Sequence, residues 1–238
     1  MPVFYTSQID HKQAILSEEE SRHIIKVLRM AVGDALEIVD GKGNYYNGLI
    51  SVPDPKACQV LISNFIKDYL RRDYHLHIAI APPKSTDRFE WFLEKATEIG
   101  VDEISPVICA RSERSRIRHD RSQKILIAAM KQSGRALLPR LNREIPLSNF
   151  QDTATADIQL MAHCHTTPGQ HIDSEPVIGQ RWIILIGPEG DFTPGEIEEA
   201  RQKAYREINL GEAVYRTETA GIIACHTISL LYQNKPED

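Results

Sequence analysis

The chain has 238 residues, a net charge of −5, 42% hydrophobic and 26% charged residues, an ordinary globular composition with room for one large domain or two small ones. No apolar run approaches the roughly 20 residues of a bilayer-spanning helix, and MPVFYTSQID has no basic segment leading into an apolar core, so neither a membrane span nor a secretory signal is expected. Cys58, Cys109, Cys164 and Cys225 are scattered without a CxxC pair, which argues against a zinc ribbon or redox motif and suits a reducing cytoplasm.

Charge is unevenly spread. Residues 1–72 carry 9 basic and 9 acidic side chains, residues 73–144 carry 13 and 10, and residues 145–238 carry 6 and 14. The basic surplus is in the middle of the chain. A local basic surface on an acidic protein can still hold a polyanion, because salt screens charges beyond about 10 Å.

Residues 1–70 read as mostly β with one helix. Val3-Phe4-Tyr5 is a first strand. Ser17 with Glu20 forms a capping box for a helix expected to run to about Met30, before Gly33. On that helix Arg22, Lys26 and Arg29 share one face, which composition alone favours as solvated. Strands at 35–39 and 45–52 flank Asp40-Gly41-Lys42-Gly43-Asn44, a hairpin signal, and 57–63 alternates as a further strand. A small β-barrel with an exposed helix is expected, followed by a polar link at 70–74, giving domains 1–70 and 74–238.

Beyond the link, strands alternate with helices, the pattern of a parallel α/β sheet. The strand at 75–81 leads to a helix with Asp87 as its expected cap, an apolar face of Phe89, Phe92, Leu93, Ala96 and Ile99, and Gly100 at its end. A strand at 104–109, a helix at 121–133 ending at Gly134, and a strand at 158–162 follow. The run Arg111, Arg114, Arg116, Arg118, Arg121, Lys124 is the densest basic stretch; by composition it leans towards a solvated loop. A polar loop spans 163–180. His163-Cys164-His165 would place both histidines on one side of a strand, but no further ligands stand at recognisable spacing, so no metal is expected.

The turn after the first α/β strand, Ala81-Pro82-Pro83-Lys84-Ser85, contains no glycine, which excludes a G-x-G-x-x-G dinucleotide loop there. The glycine loops come late. The apolar run 182–186 reads as a buried strand ending in Gly187-Pro188-Glu189-Gly190. Thr193, Pro194 and Glu196 form a capping box with a proline at the first helical position, and Ile197, Ala200 and Ala204 give that helix its apolar face. A short strand at 208–210 runs into Gly211, and a second capped helix starts near Thr217. Two glycine-bearing loops in adjacent βα units favour a ligand site over two ordinary turns, because glycine lets backbone N–H groups approach a ligand.

Gly187-Pro188-Glu189-Gly190, Leu210-Gly211 and Arg216-Thr217-Glu218-Thr219-Ala220, in this order and spacing, resemble the C-terminal signature of the RsmE family. Lys84, Asp87-Arg88, residues 94–101, Ile104-x-Pro106, Arg111-Ser112, Gln132, Arg135 and Pro139 follow its pattern too. RHIIKVLRM, Gly33-Asp34 and DGKGNYY resemble its N-terminal PUA-like domain. The chain departs from the family at Asp191, where a second glycine is usual, at Val214-Tyr215, at Lys131, where glutamate is usual, and at Met1-Pro2-Val3, where basic residues are usual.

The resemblance implies a C-terminal SPOUT methyltransferase domain, trefoil-knotted around a parallel sheet, behind a small PUA-like β-barrel. It implies transfer of a methyl group from S-adenosylmethionine to N3 of a uridine in small-subunit ribosomal RNA, in the 30S context, by a cytoplasmic homodimer. Cofactor contacts are expected from Ala162, His163, Gly187, Pro188, Glu189, Gly190, Leu210, Gly211, Val214, Arg216 and Thr219. RNA contacts are expected from Arg22, Lys26, Arg29, Lys84, Arg111, Arg114, Arg116 and Arg135. Arg216, Glu218 and Arg135 are the catalytic candidates, since N3 must lose a proton and the resulting anion spreads onto carbonyl oxygens that cations stabilise. For Glu218 a helix-start ion pair is the equal alternative. The last helix offers Ile223, Ile228 and Leu231 as dimer contacts or as core; Cys225 and His226 read as packing residues. Two other functions stay open: a non-catalytic RNA-binding protein with the SPOUT fold, and a ribose 2′-O-methyltransferase of the same superfamily.

Overall fold

The computed structural model describes residues 2–10, 12–164, 171–172 and 175–233. The chain divides into two compact units, Met1–Arg71 with Ile127–Leu138, and Arg72–Leu126 with Pro139–Asp238.

The first unit is built on five strands: β1 (Val3–Tyr5), β2 (Gln13–Ile15), β3 (Ala35–Val39), β4 (Tyr45–Val52) and β5 (Gln59–Ile66), in the order β1-β3-β4-β5-β2. The two edges are drawn together. Thr6 Oγ1, just past β1, donates to the Ile15 carbonyl on β2 at 2.6 Å, and Ile15 N–H donates to the Gln8 carbonyl at 3.0 Å. The sheet therefore curls around a core of Phe4, Leu16, Ile24, Leu36, Ile38, Ile50 and Val60. In the β3–β4 turn, Asp40 Oδ1 accepts the N–H groups of Lys42 and Asn44, while Gly41 and Gly43 take positive φ.

The helix of this unit is shorter than its periodicity predicts. Ser17 caps α1 (Glu18–Arg22) by accepting the Glu20 N–H, but the Glu20 carboxylate accepts from Lys131 instead of closing the capping box. A π-helical turn (His23–Val27) follows, and Leu28 N–H reaches back to the His23 carbonyl. Arg29 then takes φ +57°, a left-handed residue that ends the helix. Arg29 therefore does not continue the face of Arg22 and Lys26, and Arg22 is paired with Glu18 at 2.7 Å.

The second unit carries a parallel sheet. Its strands are β6 (Tyr74–Ile80), β7 (Glu103–Ile108), β8 (Arg140–Leu141), β9 (Ile145–Pro146), β10 (Ile158–Ala162), β11 (Gln180–Ile186) and β12 (Arg206–Ile208). The order is β12-β10-β11-β6-β7-β8, with β9 also pairing β7, and every pairing is parallel. Such a sheet is covered on both faces, which is why β11 reads as an unbroken apolar run from Trp182 to Ile186 and why β6 buries His77 along with its apolar residues. On one face, α4 (Leu147–Thr153) and α5 (Pro194–Gln202) bury Leu147, Phe150, Ile197 and Ala200 against Ala79, Val107, Met161 and Leu185. Helices α2 (Thr86–Ile99) and α6 (Thr217–Gln233) pack on one another, and α6 also lies on β6 and β11. Gly221 makes the α2–α6 approach possible: a Cβ there would lie 2.6 Å from the Phe92 ring. Helix α3 (His119–Gln132) runs across the division between the units.

Several boundaries differ from expectation. Ser85, not Asp87, is the N-cap of α2, and Asp87 sits in the first turn, where a carboxylate favours the helix dipole. Ile99 is only half-buried, and Thr97 takes its place in the core. The last strand ends at Ile208, two residues earlier than predicted, because Asn209 turns the chain by accepting the Gly211 N–H on Oδ1 at 2.6 Å. Ile228 and Cys225 are fully buried, so Ile228 is core, whereas His226 is exposed. No helix among the described residues is long and apolar enough to cross a membrane.

Candidate cofactor and RNA methylation site

In an open parallel sheet the crevice for a ligand lies beyond the carboxyl ends of the strands. Here the loops after β11 and β12 stand on either side of β10 and enclose a cavity of about 300 Å³. Ala162, His163 and Cys164 line it from the end of β10, Ile186 to Glu189 and Asp191 from the loop after β11, and residues 209–217 from the loop after β12. Most of the residues that line it are small or apolar.

Three local devices hold this wall. Thr217 Oγ1, at the start of α6, donates to the Gly187 carbonyl at 3.0 Å, tying the two loops together. Asp191 occupies a left-handed conformation (φ +58°) that glycine would take without strain; its Oδ2 accepts the Cys164 N–H at 3.0 Å and its Oδ1 the Phe192 N–H at 2.7 Å. Gly211 (φ +154°) lies under the Tyr215 ring, where an added Cβ would be 2.6 Å from the hydroxyl oxygen. Behind the wall, the buried His163 side chain meets Glu207 Oε2 at 3.0 Å, and Glu207 Oε1 accepts from Arg201 Nη2 at 2.7 Å. Burial alone would raise the Glu207 carboxyl, but Arg201 and His163 hold it below the usual carboxylate range.

A second hollow, also about 300 Å³, is lined by Asp87, Arg88, Trp91, Arg216, Glu218 and Thr219. Arg216 lines both hollows.

The sequence profile of the RNA methyltransferase domain matches residues 71–229, and that of the RNA methyltransferase PUA domain matches residues 16–63. The chain belongs to the RNA methyltransferase family. It is 26% identical, over 97% of its own length and 93% of the relative's, to the ribosomal RNA small subunit methyltransferase E of Buchnera aphidicola subsp. Acyrthosiphon pisum. Its fold superposes on the crystal structure of a probable rRNA-methyltransferase from Porphyromonas gingivalis, with a TM-score of 0.89 and 39% identity over 98% of this chain and 99% of that one. A putative methyltransferase from Legionella pneumophila, solved in complex with the bound cofactor SAM, matches with a TM-score of 0.83 and 27% identity over 97% of each chain. The RsmE resemblance and the α/β fold behind a PUA-like unit are thereby borne out.

In this RNA methyltransferase, Ala162, His163, Gly187, Pro188, Glu189, Leu210, Gly211, Val214 and Arg216 line the first hollow. Gly190 and Thr219 do not; Thr219 lines the second, and the Gly190 carbonyl accepts from Arg111 Nη1 at 2.8 Å. The basic loop is also less free than its composition suggests. Arg114 donates from Nε and Nη2 to the Lys84 carbonyl at 3.1 and 2.5 Å, Lys84 Nζ pairs with Glu113 at 2.6 Å, and Lys84 N–H donates to Glu189. Arg111 thus braces the loop after β11 and Arg114 braces Lys84, whose N–H holds Glu189 of that loop, while Arg116 is exposed. Arg135 belongs to the first unit, directly after the left-handed Gly134.

Sequence reasoning missed Asp191 as a tether, Asn209 as a turn-former, Tyr215 as a lid over glycine, and Trp91. Asn-Leu-Gly after a strand was the available signal for Asn209. Among the described residues no group of three His, Cys, Asp or Glu is placed to hold a metal ion; His165 lies outside them.

Proposed function

We propose that this chain methylates N3 of a uridine in small-subunit ribosomal RNA, using S-adenosylmethionine, and that it acts as a cytoplasmic homodimer on the 30S particle. The observation that carries the reading is the hollow at the ends of β10, β11 and β12, lined largely by small and apolar residues. Its size and its lining of small and apolar residues fit a nucleoside with a short charged tail. The bound cofactor supplies an electrophilic methyl group on its sulfonium. Residues of this chain do the rest: Gly187, Leu210, Gly211 and Val214 present backbone and apolar surface to the adenosine, and Arg216, at the border of both hollows, is available to the carbonyl oxygens of a uridine losing its N3 proton.

In the second unit the exposed Arg116, and separately in the PUA-like unit the exposed Lys26, are basic side chains open to RNA phosphates. A non-catalytic RNA binder is disfavoured because Asp191 holds a left-handed conformation that suits glycine and ties its loop to Cys164, so the wall is not lost.

Calorimetric titration with S-adenosylmethionine should give one site per chain. Nucleoside analysis of treated small subunits should then yield N3-methyluridine. A 2′-O-methylated product would sink the base-methylation reading, and a folded protein with no cofactor uptake, with or without RNA, would sink the enzyme reading.

A further inference from the structure

Glu218 is 5% exposed, in the first turn of α6. Its Oε1 is 3.7 Å from Arg88 Nε, a loose ion pair, and its Oε2 has no hydrogen-bond partner among the described residues. A buried carboxylate oxygen without a donor is costly, and native structures rarely keep one without a use for it. Asp87, Arg88 and Arg216 are the other charged groups around the same hollow. Trp91, on the outward side of α2, is 43% exposed and forms one wall.

We propose that this second hollow receives the target uridine base and that Glu218 Oε2 takes the N3 proton. The proposal rests on the uridine-N3 reading above and assigns the acceptor half of the reaction. A base drawn out of its stack needs a face to lie on, and Trp91 offers one. The N3–H donor supplies the partner that Oε2 lacks. As the cofactor's S–CH3 bond breaks, its electron pair stays on sulfur, which becomes a neutral thioether. The N3–CH3 bond forms with the electron pair of the N3–H bond, and the proton passes to Oε2, leaving a neutral carboxylic acid. Arg216, reaching both hollows, faces the negative charge that grows on the uridine oxygens during this transfer.

The test is Glu218→Gln in the full chain, which keeps shape and removes the base. Cofactor affinity by calorimetry and the thermal melt should stay within twofold and a few degrees of wild type. Methyl transfer should fall about 100-fold or more at neutral pH. The rate of the variant should climb tenfold per pH unit towards the pH at which uridine ionises by itself, whereas wild type is flat there. Glu218→Asp should keep the flat profile at reduced rate. Independently of activity, Trp91 fluorescence in a Trp182→Phe background should be quenched by a short RNA spanning the methylated uridine, and Trp91→Ala should weaken that RNA about tenfold. An unchanged rate in Glu218→Gln, or a loss with a pH profile parallel to wild type, overturns the proton role. Absence of quenching overturns the pocket. Wild type that methylates another atom defeats the uridine-N3 reading itself and is told apart by its product.

Discussion

Asp191 Oδ2 accepts the backbone N–H of Cys164 at 3.0 Å, joining the loop after β11 to the end of β10 in the wall of the first hollow. A non-glycine residue at φ +58° costs about 1 kcal/mol or somewhat more in backbone strain. Asp191→Gly should therefore leave the melting temperature unchanged or raise it slightly, while cofactor affinity drops about 5–10-fold for want of the tether. Asp191→Ala should lose both affinity and stability. Calorimetry beside a thermal melt separates the two; a glycine variant that binds as tightly as wild type leaves the tether without a role.

Gly211→Ala is the sharpest single lesion available to the cavity. The new methyl would meet the Tyr215 hydroxyl at 2.6 Å in a backbone region that alanine avoids. Cofactor binding should fall beyond tenfold. Adding Tyr215→Ala removes the clash but not the strain, so only part of the affinity should return.

The arginines of the basic loop divide by what they already hold. Arg116→Glu should weaken RNA binding several-fold and lower the salt slope by about one, with cofactor uptake untouched. Arg111→Glu should damage both, because Arg111 supports the Gly190 carbonyl. Salt-dependent RNA titration and cofactor calorimetry on the two variants would expose equal behaviour if the division is wrong.

Acid should weaken the second unit through His77. Its imidazole is pushed down from 6.5 to about 4, chiefly by burial, with Glu103 opposing and His75, Arg140 and Arg181 assisting. Its Nε2 lies 2.8 Å from Ser105 Oγ, which already accepts from Asn142 Nδ2, so the hydroxyl proton points at a neutral ring. The unfolded chain takes up this proton below about 6.5, the folded chain only below about 4. Stability is therefore full above 6.5 and declines as pH falls through that window, by on the order of 3 kcal/mol. Urea melts at pH 7 and 4.5 should differ accordingly, and His77→Gln should shrink the difference.

What the chain disclosed in advance was whatever depends on local chemistry. Thr193, Pro194 and Glu196 announced α5, and both halves of the capping box are formed. The Trp182 to Ile186 run announced a buried strand, and it lies inside the sheet. What stayed hidden depends on long-range contact. Ser17 and Glu20 offered the same capping signal, yet Glu20 is taken by Lys131, 111 residues away. The helix beyond it was read too long because nothing in the periodicity marks the left-handed Arg29. Likewise composition reads Arg111 and Arg114 as solvated charge and the resemblance makes them RNA contacts, but neither marks their carbonyl partners, Gly190 and Lys84, which lie 79 and 30 residues off. The unpartnered Glu218 could not be read from sequence, because burial without a donor is a property of the packed fold.

The pairing of β6 with β11 sets Tyr74 against Gln180 and Ile80 against Ile186, so the centre of the sheet joins residues more than a hundred positions apart. At a synthesis rate of about 5–20 residues per second, the first strand of that pair waits several seconds for its neighbour. During that interval a strand that ends in the apolar run Ile78-Ala79-Ile80 is without its neighbour, a natural point for chaperone capture or for aggregation on overexpression. The cavity walls after β11 and β12 are made later than β6, β7 and β10. A nascent chain therefore cannot draw on ligand binding for stability until both of these loops have been made, and cofactor supply should influence the yield of folded protein but not the early steps of its folding.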